Sequence, residues 1–207
     1  DTGHTPFLEN LERTAKQTKV PIIRREMQSF LKVFLKMKQP KRILEVGTAV
    51  GFSAVFMAQY GEADAEITTI ENYEKLIPIA RENFEKSGFA DRITLIPGDA
   101  AEVLKTLDGP YDFIFMDAAK GQYIHFLPEV LRVLDKNGVL ITDNVLQDGD
   151  VIESRFAVER RNRTIHKRMR EYLFELTHNE GLLTSVVPLG DGIAITMKSH
   201  EKREETT

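Results

Sequence analysis

Apolar residues along this chain recur in two rhythms. Helical spacing governs the first forty positions. Residues 8–18 form one amphipathic stretch, and Met27, Phe30, Leu31, Phe34 and Leu35 mark one face of a second helix over 24–38. Val20-Pro21 lies between them, where proline interrupts a helix. From Pro40 onward, short apolar runs alternate with helical stretches. The pattern predicts strands at 42–47, 66–71, 92–99, 111–117 and 138–144. It predicts helices at 52–60, 73–87, 100–107 and 123–134, and a long one over roughly 154–178. Two last apolar runs, 182–188 and 192–198, flank Leu189-Gly190-Asp191-Gly192, which reads as a hairpin turn.

Five strand–helix alternations imply a parallel sheet, because parallel neighbours need crossover helices. The expected fold class is therefore α/β. It is a Rossmann-like, doubly wound sheet of seven strands, mostly parallel, with one antiparallel strand from the C-terminal hairpin. The 207 residues suit a single domain over 1–207, with N-terminal helices in 1–40. Residues 198–207 are charged and expected to be disordered. No repeat or linker divides the chain.

Composition narrows the classes. Hydrophobic residues at 42% and charged residues at 29% are ordinary for a globular protein. The absence of cysteine excludes a disulfide framework and a thiolate metal site, and it is compatible with the expected cytoplasmic location. No apolar run approaches the ~20 residues of a membrane helix, and no signal-like segment opens the chain. Asp1 in place of methionine is consistent with numbering that starts inside a longer chain. The net charge of −4 argues against a generally basic nucleic-acid binder. Charge is uneven, however: Arg155, Arg160, Arg161, Arg163, Lys167, Arg168 and Arg170 face Glu159 alone across 154–170.

Candidate chemistry lies at the strand ends, where open parallel sheets bind ligands. The first turn reads Glu45-Val46-Gly47-Thr48-Ala49-Val50-Gly51-Phe52-Ser53. Its Gly47 and Gly51 are spaced unlike the dinucleotide fingerprint, which counts against a nicotinamide oxidoreductase. A carboxylate at Glu45 suits a ligand with a cationic end, such as the ammonium and sulfonium of S-adenosylmethionine. Glu71, ending the second strand, can accept ribose hydroxyls, and Asp99, ending the third, can accept an adenine amino group. Asp117 and the pair Asp143-Asn144 end the fourth and fifth strands. Two carboxylates and an amide oxygen are hard ligands that favour Mg²⁺ or Mn²⁺ over zinc. Such a cation would activate and orient an acceptor hydroxyl, with Lys120 as a candidate general base beside Asp117.

Together these residues resemble the cation-dependent O-methyltransferases, the family of catechol and caffeoyl-CoA methyltransferases. The likeness runs from Val20 to Met197 and is carried by LEVGTAVGFS, IFMDAAKGQY, ITDNVL and LGDGIAI. It implies that Ile23, Gly47, Ser53, Glu71, Asp99 and Ala100 line the cofactor site, with Asp117 touching cofactor and metal. It also implies a metal on Asp117, Asp143 and Asn144, Lys120 as base, and a homodimer. Within the family the chain looks most like the bacterial tRNA 5-hydroxyuridine methyltransferases, on VPI (20–22), KQPKRILEVGTA (38–49), DAAKGQY (117–123) and the basic stretch after ITDNVL.

That likeness implies transfer to 5-hydroxyuridine at the tRNA wobble position, giving 5-methoxyuridine. A 5-hydroxyuracil presents a vicinal oxygen pair, as a catechol does, and a loop base can be splayed into a pocket. At 100° per residue, Ile165, Met169, Tyr172 and Leu176 form one stripe of the last long helix. Arg160, Arg163, Lys167 and Arg170 form the opposite, cationic stripe, a candidate grip on the phosphates of an anticodon stem-loop. The alternatives are a solvated surface with a small catechol-like or phenylpropanoid acceptor, and a non-catalytic binding module.

Overall fold

The structure is a computed structural model that describes residues 3–146, Val151 and 159–199. The expected disorder of the tail lies largely outside these residues, as do Arg155 and the expected start of the long helix near Ser154.

Seven strands form one sheet: β1 (Arg42–Val46), β2 (Glu66–Glu71), β3 (Ile93–Pro97), β4 (Tyr111–Met116), β5 (Leu134–Thr142), β6 (Leu182–Val187) and β7 (Ile193–Lys198). Their order is β3-β2-β1-β4-β5-β7-β6, and among these seven β7 alone runs against the direction of the other six. The helices are α1 (Pro6–Thr18), α2 (Arg25–Lys38), α3 (Phe52–Tyr60), α4 (Ile77–Ser87), α5 (Ala100–Thr106), α6 (Tyr123–Val133) and α7 (Arg163–His178). The expected α/β class and the single antiparallel strand are both present. Among the described residues no helix is long and apolar enough to cross a membrane.

Strand alternation builds a core on each face of the sheet. In β4, Phe113 and Phe115 point into one cluster, with Ile43, Ile67, α1, α2 and α3. Ile114 and Met116 point into the other, with Leu44, Ile70, α6 and α7. α3 is apolar on all sides and nearly all buried, so it needs cover beyond the sheet. The two N-terminal helices supply it, through Leu8, Leu11, Met27, Leu31 and Leu35.

Several boundaries differ from the sequence pattern, for local reasons. α4 begins at Ile77 rather than at residue 73, because Pro78 fits only a first helical turn. β5 begins at Leu134, four residues early, since α6 runs directly into the strand. A 3-10 turn over Arg160–Asn162 precedes α7. On α7 the buried face is His166, Met169, Tyr172 and Leu176, whereas Ile165 is 38% exposed. The expected apolar stripe is thus rotated slightly at its first turn, where the helix meets the turn at Gly121 instead of the sheet.

The order of strands reverses between β2-β1 and β4-β5, which opens a crevice at the carboxyl ends of β1 and β4. The last long helix is pinned beside it by one buried polar contact, Thr142 Oγ1 to Tyr172 Oη at 2.5 Å. Tyr172→Phe strands the buried Thr142 hydroxyl, so it should lower stability by about 1–3 kcal/mol. A urea melt checks this, and an unchanged midpoint would show that the contact contributes nothing.

Candidate active site

The site is built where the β1 and β4 turns meet. Gly47 adopts φ 105°, and a Cβ there would lie 2.1 Å from the Asp117 carbonyl oxygen, so only glycine fits. Beyond the strands the ladder continues: Gly47 N donates to Ile70 O at 3.1 Å, Asp117 N to Val46 O at 3.0 Å and Asp143 N to Met116 O at 3.0 Å. These bonds fix the start of each turn. Glu71 braces the first one, its Oε2 accepting from Ala49 N at 2.7 Å and its Oε1 from Tyr73 N at 2.8 Å. Asp99 caps α5 by accepting from Ala101 N at 2.8 Å.

Two adjoining cavities lie over this junction. One, of about 330 Å³, is lined by Glu71, Asn72, Asp99, Ala100, Gln122 and Phe126 among others. The other, of about 430 Å³, is lined by Ile23, Arg24, Ser53, Lys120, Asp143 and Asn144 among others. Gly47, Ala49, Asp117 and Ala118 line both. Every residue expected at the cofactor or metal reaches one cavity or the other except Glu45.

Glu45 is a correction. It is fully buried and lines neither cavity, so it does not face a ligand's cationic end. From its register on β1 it points under the loop, where its Oε2 accepts from Thr69 Oγ1 at 2.5 Å, and Thr69 Oγ1 also meets Thr48 Oγ1 at 2.6 Å. Its Oε1 has no hydrogen-bond partner among the described residues. Burial pushes this carboxyl up to about 8, and the neighbouring charges of Asp117 and Glu71 push the same way, against the hydroxyls of Ser53 and Thr69.

Asp117, Asp143 and Asn144 converge in the second cavity. Asn144 Nδ2 donates to Asp117 Oδ1 at 3.0 Å, and Asn144 sits at φ 60° with its N–H donating to Asp143 Oδ1 at 2.7 Å. Burial raises the Asp117 carboxyl, opposed by the Asn144 amide and the Lys120 charge. Burial, and then the charge of Asp117, push Asp143 up to about 7. Asp117 and Asp143 lie side by side with the Asn144 amide between them, and the Lys120 charge offsets their burial only in part, so two carboxylates and an amide oxygen are available as hard ligands. They fit a hard divalent cation. Among the described residues no group of three His, Cys, Asp or Glu side chains offers another metal site.

Two contacts here escaped sequence reasoning. Lys120 Nζ donates to Asp191 Oδ2 at 2.9 Å, although Asp191 read only as a hairpin residue. Tyr123 Oη donates to Ala118 O at 3.1 Å, accepts from Ala118 N at 3.2 Å and lies 3.4 Å from Asp143 O, so it ties the β4 and β5 turns together. The only signal for either was an acid between two glycines and a tyrosine opening a helix.

The expected cationic stripe holds only in part. Arg160 and Lys167 are exposed and Arg163 is half-buried. Lys167 meets Glu171 at 3.5 Å, and Arg170, although exposed, donates from its Nη1 to Val151 O at 3.1 Å. The face is therefore mixed in sign rather than purely cationic. Its first turns adjoin the site, since Arg168 Nη1 donates to Gly121 O at 3.1 Å, next to Lys120.

Known proteins share this architecture. A family described as O-methyltransferase matches residues 2–199. A catechol O-methyltransferase of Mycobacterium tuberculosis is 33% identical over 115 residues, 55% of this chain and 52% of that protein. The chain thus spans about half the length of the first curated relatives it matches, 52% and 58%. A Staphylococcus aureus structure, named provisionally as a caffeoyl-CoA O-methyltransferase, superposes with a TM-score of 0.87 at 34% identity, covering 95% of this chain and 93% of the other. An SAH-bound methyltransferase from Podospora anserina superposes with a TM-score of 0.85 at 28% identity, covering 95% and 89%.

Glu45 generates a pH prediction for the ligand-free protein. Its folded-state value near 8 lies above the ordinary 4.5, so folding retains a proton that the unfolded chain releases between those values. Stability from this group is full below about pH 4.5 and is lost as pH rises to about 8. Glu45→Gln, neutral throughout, should match the wild type in thermal melts near the acid end and exceed it at the alkaline end. A constant gap between the two across that range would contradict the buried-acid assignment.

Proposed function

This chain belongs to the O-methyltransferase family, and we propose that it transfers a methyl group from S-adenosylmethionine to a hydroxyl that has a second oxygen beside it, using a divalent cation. The observation that carries the reading is the convergence of Asp117, Asp143, Asn144 and Lys120 on one wall of a cavity that shares Gly47, Ala49 and Asp117 with its neighbour. An SAH-bound relative with the same fold supports a nucleoside thioether in that cleft.

In this reading the 330 Å³ cavity takes the nucleoside end, with Glu71 for the ribose and Asp99 and Ala100 beside the base. Ile23, Gly47 and Ser53 bound the methionyl end. Asp117, Asp143 and Asn144 would hold Mg²⁺ or Mn²⁺, which would supply the charge that acidifies and orients an acceptor hydroxyl. Asp117 and Asp143 hold that position by their rigid attachment to the β4 and β5 ends. Asn144 orients Asp117 through its amide. Lys120, on the 3-10 turn that follows β4, takes the acceptor proton. The turns from β1, β4 and β5 exclude water and fix the acceptor opposite the sulfur, as an in-line displacement requires.

For the acceptor we propose 5-hydroxyuridine in a tRNA anticodon loop, on the strength of Arg160 on the 3-10 turn and Arg163 and Lys167 on α7, beside the site. A small catechol is the second reading, favoured by the named activity of the relative from Mycobacterium tuberculosis. Both present the same vicinal oxygens to the same donors.

Methyl transfer from labelled S-adenosylmethionine should vanish in excess EDTA and return with Mg²⁺ or Mn²⁺. Asp143→Asn should reduce turnover by roughly 100-fold or more while leaving the fold intact. Full turnover in EDTA removes the metal from the mechanism.

The acceptor has its own test. Neutralising Arg160 and Lys167 should weaken tRNA binding and reduce its salt slope by about 0.7–0.9 for each phosphate that no longer has a cationic partner. Turnover of free catechol should survive the same substitutions. An unchanged salt slope with tRNA would leave the helix face as plain solvated surface.

A further inference from the structure

The C-terminal hairpin reaches into the candidate site in a way that the proposed reaction does not yet use. Asp191 sits between β6 and β7, and its side chain is 2% exposed. A carboxylate so enclosed costs several kcal/mol unless it is paired. Its Oδ2 lies 2.9 Å from Lys120 Nζ, across 71 residues of sequence. Lys120 is 33% exposed at its side chain and lines the acceptor cavity, so the pair has one buried and one open end.

The same hairpin is fastened to the turn that carries Asp143 and Asn144. Leu146 N donates to Asp191 O and Val145 N donates to Gly192 O, each at 2.9 Å. Gly192 sits at φ 76°, and a Cβ there would lie 2.2 Å from Leu146 Cγ, so the two segments touch backbone to side chain with no slack. One rigid segment therefore holds both Lys120, through a carboxylate, and the turn after Asn144, through two backbone bonds. A surface ion pair would need no such mounting.

We propose that Asp191 is a positioning residue for methyl transfer: it holds Lys120 Nζ at a fixed distance from the Asp117–Asp143–Asn144 cluster and stabilises the ammonium formed there. The proposal rests on the reading of Lys120 as the base. In the step it serves, the Lys120 ammonium of the resting pair first releases a proton to solvent, and the acceptor O–H proton then passes to the resulting amine. The freed oxygen pair forms the bond to the methyl carbon, and the carbon–sulfur pair returns to sulfur, leaving a neutral thioether. The new ammonium lies against the Asp191 carboxylate, as an imidazolium does against the buried acid of a catalytic triad.

A double-mutant cycle tests this, with wild type, Lys120→Ala, Asp191→Asn and the double variant. Each is assayed with Mg²⁺ on catechol and on an anticodon stem-loop containing 5-hydroxyuridine, with SAH affinity by calorimetry and thermal melting alongside. Lys120→Ala should lower kcat by roughly 10²–10⁴-fold, the usual span for a general base. Asp191→Asn should lower kcat by at least about tenfold, with acceptor KM and SAH affinity within about twofold. Added to Lys120→Ala, it should change kcat by less than about twofold, because its effect passes through the lysine. Additive losses, or full kcat in Asp191→Asn, overturn the proposal while leaving Lys120 as base. A fully active Lys120→Ala variant, or a wild type inert on both acceptors, overturns the base reading and this inference with it. If Asp191→Asn does not fold, Asp191→Glu carries the same cycle, since it keeps the charge and moves it by one methylene.

Discussion

The contact on which the site depends is the approach of the β1 turn to the β4 turn, backbone against backbone, at Gly47 and the Asp117 carbonyl. At that spacing no side chain can intervene. It closes the crevice between the two strands to a floor and leaves ligand space above it on either side. Asp117 is thereby presented to both cavities at once, and the two ends of a long ligand can share one carboxylate. Glu71 and the ladder bonds beyond each strand hold the turns in this arrangement.

Rigid presentation has an electrostatic cost. Asp117, Asp143, Glu45 and Asp191 all lie in or under the same small region, and burial raises the first three. A chain selected for stability alone would not place them together. The offsets differ. Glu45 holds its proton under the loop, Asp191 is paired with Lys120, and the remaining two suit a dication. A single region thus contains an acid kept neutral, an acid kept paired and acids left to bind a metal, sorted by depth and by partner.

Much of this was legible in the sequence because strand–helix alternation and strand-end chemistry are local. Glu71, Asp99, Asp117, Lys120, Asp143 and Asn144 could each be placed at a carboxyl strand end before any fold was known. Glu45 shows where that logic stops. A residue one step before a turn lies on the strand, and alternation decides which side it faces. Ile165 shows a second limit, because helical angles assume a partner along the whole face, and the first turn of α7 meets a 3-10 turn instead of the sheet. Asp191 shows a third. Its partner is 71 residues away, and nothing in Leu189-Gly190-Asp191-Gly192 records it.

The position of β7 sets an order of assembly. It is the last strand among the described residues, yet it pairs with β5 on one side and carries β6 on the other, with Val139 opposite Met197. The parallel pairs of β1 to β5 do not need it, but β6 has no place in the sheet until β7 has docked. Both the β1–β4 and the β5–β7 pairings join residues more than fifty positions apart, and such closures are slow compared with local helix formation. The hairpin that delivers Asp191 to Lys120 arrives with this final closure. A chain in which β7 has not docked therefore has the β1 and β4 turns but not the Asp191–Lys120 pair, so the candidate site is complete only when the sheet is.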